Sequence, residues 1–519
     1  MVYPADYALT APDRPALIMT PSGNSITYED LTARGNQFAH LLADLGLRRG
    51  DHYAVIAENN LRYCEVVWGG LNSGLYVTPV NWHLTAAEAA YIIEDCGADL
   101  LMVTNEQREM AEKLVTLTPS VRHRLMIDGS STSYDSYEGA LSSRPATPIL
   151  DETRGHFMFY TSGITGRPRG VQFPLADEPA RMGDASREVM CHQFDLREGD
   201  VLLVASPMYH SAGLRNCQIA QCTGATVVSM DKFDPEGMLA AIEKYRVTQI
   251  MLVPTMFVRL LRLDEATRAK YDLSSLRLAL HAAAPCPPEV KRAMIDWWGP
   301  ILVEQYGGTE GIGSTYITSA EWLERPGSVG RGWRSTVRIC DMTSGDEAPA
   351  GQVGDVYFER TGYQFAYHND SQKTLASHHP GHADWRTMGD IGYLDDKGYL
   401  FLTDRRAHTI VSGGVNIYPR EIEDLLLAHP ALADVAVFGV PNDEFGEEVK
   451  AVVQPADFAR ADSRLALELI DHCRSHIAHF KCPRSIDFES SLPRLDNGKL
   501  YKQEPKSRYW PANNDTLPS

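Results

Sequence analysis

Tyr160-Thr-Ser-Gly-Ile-Thr-Gly-Arg-Pro-Arg-Gly-Val171 is the stretch on which the reading of this chain turns. Just upstream, His156-Phe-Met-Phe-Tyr160 has the aromatic, polar-bounded pattern of one short buried strand. Three glycines follow (Gly163, Gly166, Gly170), with three hydroxyls (Thr161, Ser162, Thr165) and two arginines (Arg167, Arg169). Glycine lets successive backbone N–H groups turn toward one point, and hydroxyls add donors. Guanidinium groups neutralise phosphate oxygens through paired hydrogen bonds. That combination suits a polyphosphate. A solvated Gly/Ser/Thr turn is the plain alternative. The Walker spacing is not met, because no Gly-Lys-Ser/Thr follows Gly163 at the required distance.

Outward from this loop, strand and helix signals alternate. Residues 25–28 are strand-like, and Glu29–Leu45 carries helical apolar spacing. Tyr53–Ala57, Leu75–Pro79 and Leu100–Thr104 are strand runs, with a helical stretch from Leu61 to Gly74. Thr85 and Glu88 form a capping box for a helix ending near Gly97. Residues 130–148, rich in Ser, Thr and Pro, read as a joining segment. A second set follows: Val201–Ala205, Ala225–Ser229, a helix near Pro235–Tyr245, and Gln249–Val253. Strands alternating with helices imply an α/β core with a largely parallel sheet. From Val329 to Leu402 the texture becomes short strands and Gly/Asp turns, as in a small β-barrel. After Asp404 a compact α+β segment begins, with a helix from Pro419, strands at 435–440 and 449–453, and a helix from Leu465.

Composition limits the classes. A length of 519 residues calls for two or more domains, and 44% hydrophobic with 23% charged residues is globular. A net charge of −19 argues against non-specific nucleic-acid binding and a polybasic membrane patch. Nine cysteines without a Cys-x-x-Cys pair fit reduced cytosolic thiols. No signal-peptide pattern opens the sequence and no apolar run reaches spanning length, so a cytoplasmic protein without an integral membrane segment is expected. His378, His379 and His382 cluster, but no carboxylate or cysteine accompanies them at ligand spacing, and a solvated loop is favoured over a metal site.

Further segments carry chemistry. Pro207-Met-Tyr-His210-Ser-Ala-Gly-Leu214 follows a strand and puts a histidine at a cleft edge. Glu304-Gln-Tyr-Gly-Gly-Thr-Glu310 sets an aromatic among glycines beside a hard oxygen ligand suited to Mg²⁺. Trp385-Arg-Thr-Met-Gly-Asp390, Ser412-Gly-Gly-Val-Asn-Ile-Tyr-Pro419, Phe480-Lys-Cys-Pro-Arg484 and Leu492-Pro-Arg-Leu-Asp-Asn-Gly-Lys499 complete the series. In this order the segments resemble the motifs of the acyl-adenylate-forming superfamily: acyl-CoA synthetases, adenylation domains of peptide synthetases, and luciferases. The resemblance runs from about Ala16 to Lys502. The chain departs from the family pattern at Ile164 and Arg169 in the phosphate loop, where threonine and lysine are usual. It departs again at Met388 for threonine, Val415 for glutamate, and Ala407 at a hinge position usually acidic or lysine.

The resemblance implies an α/β fold. A large N-terminal domain (1–404) combines α/β subdomains with a small β-barrel, and a smaller mobile α+β C-terminal domain (405–519) turns on a hinge at 404–407. It implies an AMP-forming acyl-CoA synthetase using ATP, Mg²⁺ and coenzyme A. ATP binding falls to Thr161, Ser162, Gly163, Thr165, Gly166, Arg169, Ala283, Ala284, Pro285, Gln305, Tyr306, Gly307, Thr309, Asp390, Arg405 and Lys499. Catalysis falls to Lys499, Arg169, Thr309, Glu310 and His210, with Glu310 also the metal ligand. His210, Ala212, Gly213 and Gly308 form the acyl pocket, Gly308 leaving volume at its floor. Ser412, Gly413, Gly414, Phe480, Lys481 and Arg484 contact CoA. No basic residue is evident in the segments assigned to the pocket, so a hydrophobic carboxylic acid is expected over an amino acid. Delivery to a carrier protein and a catalytically weakened binding homologue are the alternatives, and a homodimer stays open.

Overall fold

The computed structural model describes residues 3–161, 168–180, 195–284, 286–405, 408–412, 415–442, 445–494 and 500–510. Two α/β sheets dominate. The first has six strands, all parallel, built around His52–Ile56, Tyr76–Val80 and Ala98–Thr104. Its strands are buried along almost their whole length, as a sheet covered by helices on both faces requires. The helix Ala86–Asp95 starts with the expected capping box: Thr85 accepts from the Glu88 N–H, and the Glu88 carboxylate accepts from the Thr85 N–H at 2.8 Å.

Residues 130–148 are more than a joining segment. Asp135–Ser136 adds an edge strand, and Tyr137–Leu141 forms a short helix that buries Tyr137 and Leu141. Tyr134, Tyr137 and Leu141 anchor it, and Tyr134 donates to the Ala111 carbonyl.

The second sheet has nine strands, in the order Arg331–Trp333, Ser314–Thr318, Leu302–Gly307, Leu278–His281, Gln249–Leu252, Val201–Val204, Thr226–Met230, Pro15–Thr20, Ser25–Thr27. The six from Leu302–Gly307 through Pro15–Thr20 are mutually parallel, and antiparallel strands close both edges. Chain order reverses about Val201–Val204: its successor Thr226–Met230 lies on one side and Gln249–Leu252 on the other. Such a reversal opens a crevice beyond the carboxyl ends of the strands. The connecting helix Pro235–Tyr245 matches expectation, capped by Asp234, opened by a proline, and closed at left-handed Arg246.

The presumed single strand at 156–160 is split. His156–Phe157 pairs in parallel with Tyr76–Val77, whereas Phe159–Thr161 pairs antiparallel with Arg169–Val171 in a separate three-stranded sheet. Six strands between Thr336 and Arg405 form a separate antiparallel sheet. A five-stranded sheet of residues 410–488 carries the helices Pro419–Leu427 and Ser463–His476 and has its own apolar core. Among the described residues, no helix is long and apolar enough to cross a membrane. The described cysteines are buried and unbridged.

Candidate active site

Consecutive parallel strands deliver their following loops to one place. Val201–Val204 leads to Ser206 and His210, Gln249–Leu252 to Val253, Leu278–His281 to Ala282 and Ala283, and Leu302–Gly307 to Gly308, Thr309 and Glu310. All of these line a cleft of about 1250 Å³. The hairpin strands Phe159–Thr161 and Arg169–Gln172 reach the same cleft, with Arg169 paired opposite Thr161. Ser162, Gly163, Thr165 and Gly166 lie outside the described residues. A buried amide holds the two α/β units together beside the cleft: Asn59 accepts from the Met208 N–H at 2.7 Å and donates to the Met230 carbonyl at 2.9 Å.

Arg169 forms an ion pair with Asp370, Nε to Oδ2 at 2.5 Å, at the cleft wall. Asp370 caps the helix Ser371–Ala376. Its carboxyl is held below the usual range, chiefly by the Lys373 N–H and next by Arg169. Glu310 accepts from the Tyr367 phenol at 2.7 Å through Oε1, and its backbone carbonyl accepts from Tyr363 at 2.7 Å. Burial pushes Tyr363 up to about 12, partly offset by the charges of Arg215 and Arg360. Thr309 Oγ1 lies 3.5 Å from Ser211 Oγ. One carboxylate on a cleft wall suits Mg²⁺ whose remaining ligands are phosphate oxygens and water. No group of three or more His, Cys, Asp or Glu able to hold a metal occurs among the described residues.

Other expected residues fall into distinct places. Thr161, Gln305, Gly307, Ala212 and His210 line the cleft, and His210 is the N-cap residue of the helix Ser211–Cys222. Tyr306 and Asp390 stand just outside the lining, joined by a 2.5 Å hydrogen bond from the phenol to Oδ2. Ala283 lines the cleft with φ of 72°, a left-handed conformation that glycine takes more readily. Ala284 follows it, and Pro285 lies outside the described residues.

Two expectations for the acyl pocket are corrected. Gly213 is not on the wall: a Cβ there would come 2.4 Å from the Pro207 carbonyl oxygen, so this glycine lets the helix pack on the loop behind. Gly308 does line the cleft but leaves no empty floor. A Cβ there would meet Met388 Sδ at 2.3 Å and Glu310 Oε2 at 2.5 Å, because the Met388 side chain already occupies that space. The segments 207–214 and 308 assigned to the acyl pocket carry no Arg or Lys, but the cleft as a whole is cationic. Arg154, Arg169, Arg215, Arg334, Arg360 and Lys373 line the cleft against only Glu310 and Asp355, six cations to two anions among the described residues. Arg215 lies one residue beyond the His210 segment, and the helical spacing of 212, 215 and 216 is the signal that would have found it.

Behind the wall, Lys291 from the helix Pro288–Trp298 meets Glu304 at 2.6 Å, both buried. His281 Nε2 lies 3.7 Å from the same carboxylate. Burial, and then the Lys291 charge, push His281 well below the usual imidazole range, so it is neutral. The pair fixes the strands that present residues 282–284 and 305–310.

The histidine cluster is not the solvated loop expected: His378–His379 is a short strand paired antiparallel with His382–Arg386. His379 contacts the Gly345 carbonyl at 3.0 Å, and His382 stacks on Trp385 with centroids 3.9 Å apart.

In the C-terminal unit, Phe480 is exposed, Lys481 pairs with Glu421 at 2.7 Å, and the Arg484 guanidinium sits 4.7 Å from the Phe445 ring. Ser412 ends a hairpin strand opposite Val415. Gly413, Gly414, Ala407, Lys499 and the side chain of Arg405 lie outside the description. Arg494 forks onto Asp434 at 2.6 and 2.7 Å, and its backbone bridges to Leu500, so the two ends of the segment containing Lys499 are anchored.

The site is thus a cationic cleft at the switch point of a doubly wound sheet, with a small α+β unit following it in the chain. Comparison with known proteins gives the family. The profile of the AMP-binding enzymes matches residues 5–367, and that of the AMP-binding enzyme C-terminal domain matches residues 421–499. The chain belongs to the AMP-binding enzyme family, within the adenylate-forming superfamily of AMP-forming ligases. It is 32% identical over 491 residues to a feruloyl-CoA synthase of Amycolatopsis sp, covering 94% of each chain. It is 30% identical over 515 residues to the fatty acid–[acyl-carrier-protein] ligase ScoC of Streptomyces coeruleorubidus, covering 97% of this chain and 95% of that one. The ATP-bound crystal structure of MatB from Rhodopseudomonas palustris superposes with a TM-score of 0.82 at 26% identity, covering 98% of this chain and 99% of that one.

Proposed function

We propose that the protein activates a carboxylic acid with ATP and transfers the acyl group to coenzyme A. A carboxylate oxygen bonds to the α-phosphorus, the bond to the β-phosphate oxygen breaks, and pyrophosphate leaves. The CoA sulfur then bonds to the acyl carbon and AMP departs with the carboxylate oxygen, giving a thioester. Two anions meet in the first step, so catalysis is mainly charge neutralisation and alignment. Arg169 would meet that need at the cleft wall, and Lys499 would add its ammonium from the C-terminal unit. Glu310 would hold Mg²⁺, which supplies further positive charge to the phosphates when bound. Thr309 would hydrogen-bond the α-phosphate, Asp390 and Arg405 the ribose, and His210 would close the acyl side. In this reading residues 405–519 turn about 404–407 to exchange Lys499 for the CoA contacts of Ser412, Gly413, Gly414, Phe480, Lys481 and Arg484.

The observation that carries this reading is the convergence of Arg169, Thr309, Glu310 and His210 on one cation-lined cleft in a chain of net charge −19. A second reading, delivery to a carrier protein, draws support from the ScoC relative and from the engagement of Lys481 with Glu421. The test is ATP, Mg²⁺ and a mixed acid panel, following pyrophosphate, with CoA or a phosphopantetheinyl carrier as acceptor. Pyrophosphate release with CoA-dependent thioester supports the first reading, and carrier-dependent product the second. No pyrophosphate with any acid overturns both.

A further inference from the structure

The helix Ser211–Cys222 begins where the switch-point strand ends, and it turns Ala212, Arg215 and Asn216 to the cleft at i, i+3 and i+4. Arg215 is the cation on that face. Its guanidinium sits 5.5 Å from the Phe159 ring centroid and 5.7 Å from that of Phe173. Both rings flank the hairpin that carries Arg169, and Phe173 lies 6.2 Å from the Tyr363 ring. Met251, Val253 and Leu280 add an apolar lining to the same cleft.

We propose that Arg215 receives a second oxygen on the acyl part of the acid, a carboxylate or a phenol oxygen, making an oxygenated acid the preferred substrate over a plain hydrocarbon acid. This rests on the acid-activating reading above and names its substrate class. A guanidinium held against ring faces presents its N–H edge as a planar fork, the geometry that matches an anionic or accepting oxygen. A plain alkyl or aryl tail at this wall would offer the guanidinium no acceptor. An acid bearing an ammonium group would meet like charge. The aromatic rings on either side suit a flat or extended body between the reacting carboxylate and the distal oxygen.

The experiment uses two matched pairs, cinnamic with para-hydroxycinnamic acid and hexanoic with adipic acid, which separate a phenol from a carboxylate source. Pyrophosphate release is measured for the wild type, Arg215→Met and Arg215→Gln, with ATP dependence recorded for each. The wild type is expected to favour the oxygenated member of at least one pair. Arg215→Met should lose roughly tenfold to hundredfold in kcat/KM on that member, the range of a hydrogen bond to a charged group. The plain partner and the KM for ATP should change little, and activity on the plain acid certifies a folded variant. Arg215→Gln, which keeps donors without charge, should fall between. Equal loss on both members with a raised KM for ATP would assign Arg215 to the phosphates and overturn the proposal. A wild-type preference for the plain member of both pairs overturns it too. No pyrophosphate from the wild type with any acid removes the activating reading itself, and this assignment with it.

Discussion

Gly308→Ala probes the joint between the acyl side and the phosphate side of the cleft. The new Cβ would lie 2.3 Å from Met388 Sδ and 2.5 Å from Glu310 Oε2. Heavy atoms in contact settle at about 3.5–4.0 Å, so Met388 must retreat by roughly 1.2–1.7 Å and Glu310 by roughly 1 Å. The thioether is flexible and absorbs its share. Glu310 does not move freely, because Oε1 accepts the Tyr367 phenol at 2.7 Å. Overpacking of this kind costs about 1–3 kcal/mol, or roughly fivefold to 150-fold in rate if expressed at the transition state. The loss should fall on short and bulky acids alike, since the strain reaches the candidate metal carboxylate and not an empty acyl floor. Adding Met388→Ala removes one of the two obstacles and should recover part of the loss, a coupling of about 0.5–2 kcal/mol in a double-mutant cycle. The assay is kcat/KM for pyrophosphate release on a short and a bulky acid, with AMP affinity as control. Loss confined to bulky acids, or a double variant no better than the single, would refute the reasoning.

Three further outcomes are expected. Ala283 holds φ of 72°, where a non-glycine residue costs about 1–2 kcal/mol. Ala283→Gly should therefore stabilise by about 0.5–1 kcal/mol after its added unfolded-state freedom, and Ala283→Val should destabilise, both read by thermal melts. Lys291→Met strands the buried Glu304 carboxylate and should cost about 3–5 kcal/mol in urea unfolding, while adding Glu304→Leu should restore most of it. Burial pushes His52 down to about 4 from its ordinary value near 6.5, with His368 repelling and Asp99 partly offsetting. The unfolded chain then binds the proton first, so stability is full above about pH 6.5 and falls as pH drops toward 4. His52→Gln should flatten that limb of the stability profile, and an unchanged profile would remove His52 as its source.

Local chemistry was the legible part of this fold. The Thr85/Glu88 capping box and the helix Pro235–Tyr245 are set by residues a few positions apart, and both stand where the sequence puts them. What depends on distant partners was not legible. His156–Tyr160 has the pattern of one strand, yet its halves pair with Tyr76–Val77 and Arg169–Val171, because periodicity marks extended chain and not the neighbour that takes its hydrogen bonds. The polar composition of 130–148 hid Tyr134, Tyr137 and Leu141, whose burial makes that segment part of the sheet. At the site, family-like motifs led to Arg169, His210, Thr309 and Glu310, which do share the cleft. Arg215 was not singled out, and Met388 was read only as a departure from a motif, not as a side chain filling the acyl side. One lies just past a motif on the same helical face, and the other fills space released by a glycine eighty residues away, which only the folded chain brings alongside.

The central claim is that a carboxylate attacks the α-phosphorus of ATP in this cleft. The most direct measurement is a turnover with an acid whose carboxylate carries heavy oxygen, followed by mass analysis of the nucleotide and phosphate products. The account predicts one heavy oxygen in AMP, none in pyrophosphate, and a thioester that keeps the other. Heavy oxygen in inorganic phosphate with ADP as the nucleotide product, or AMP without label, would contradict it.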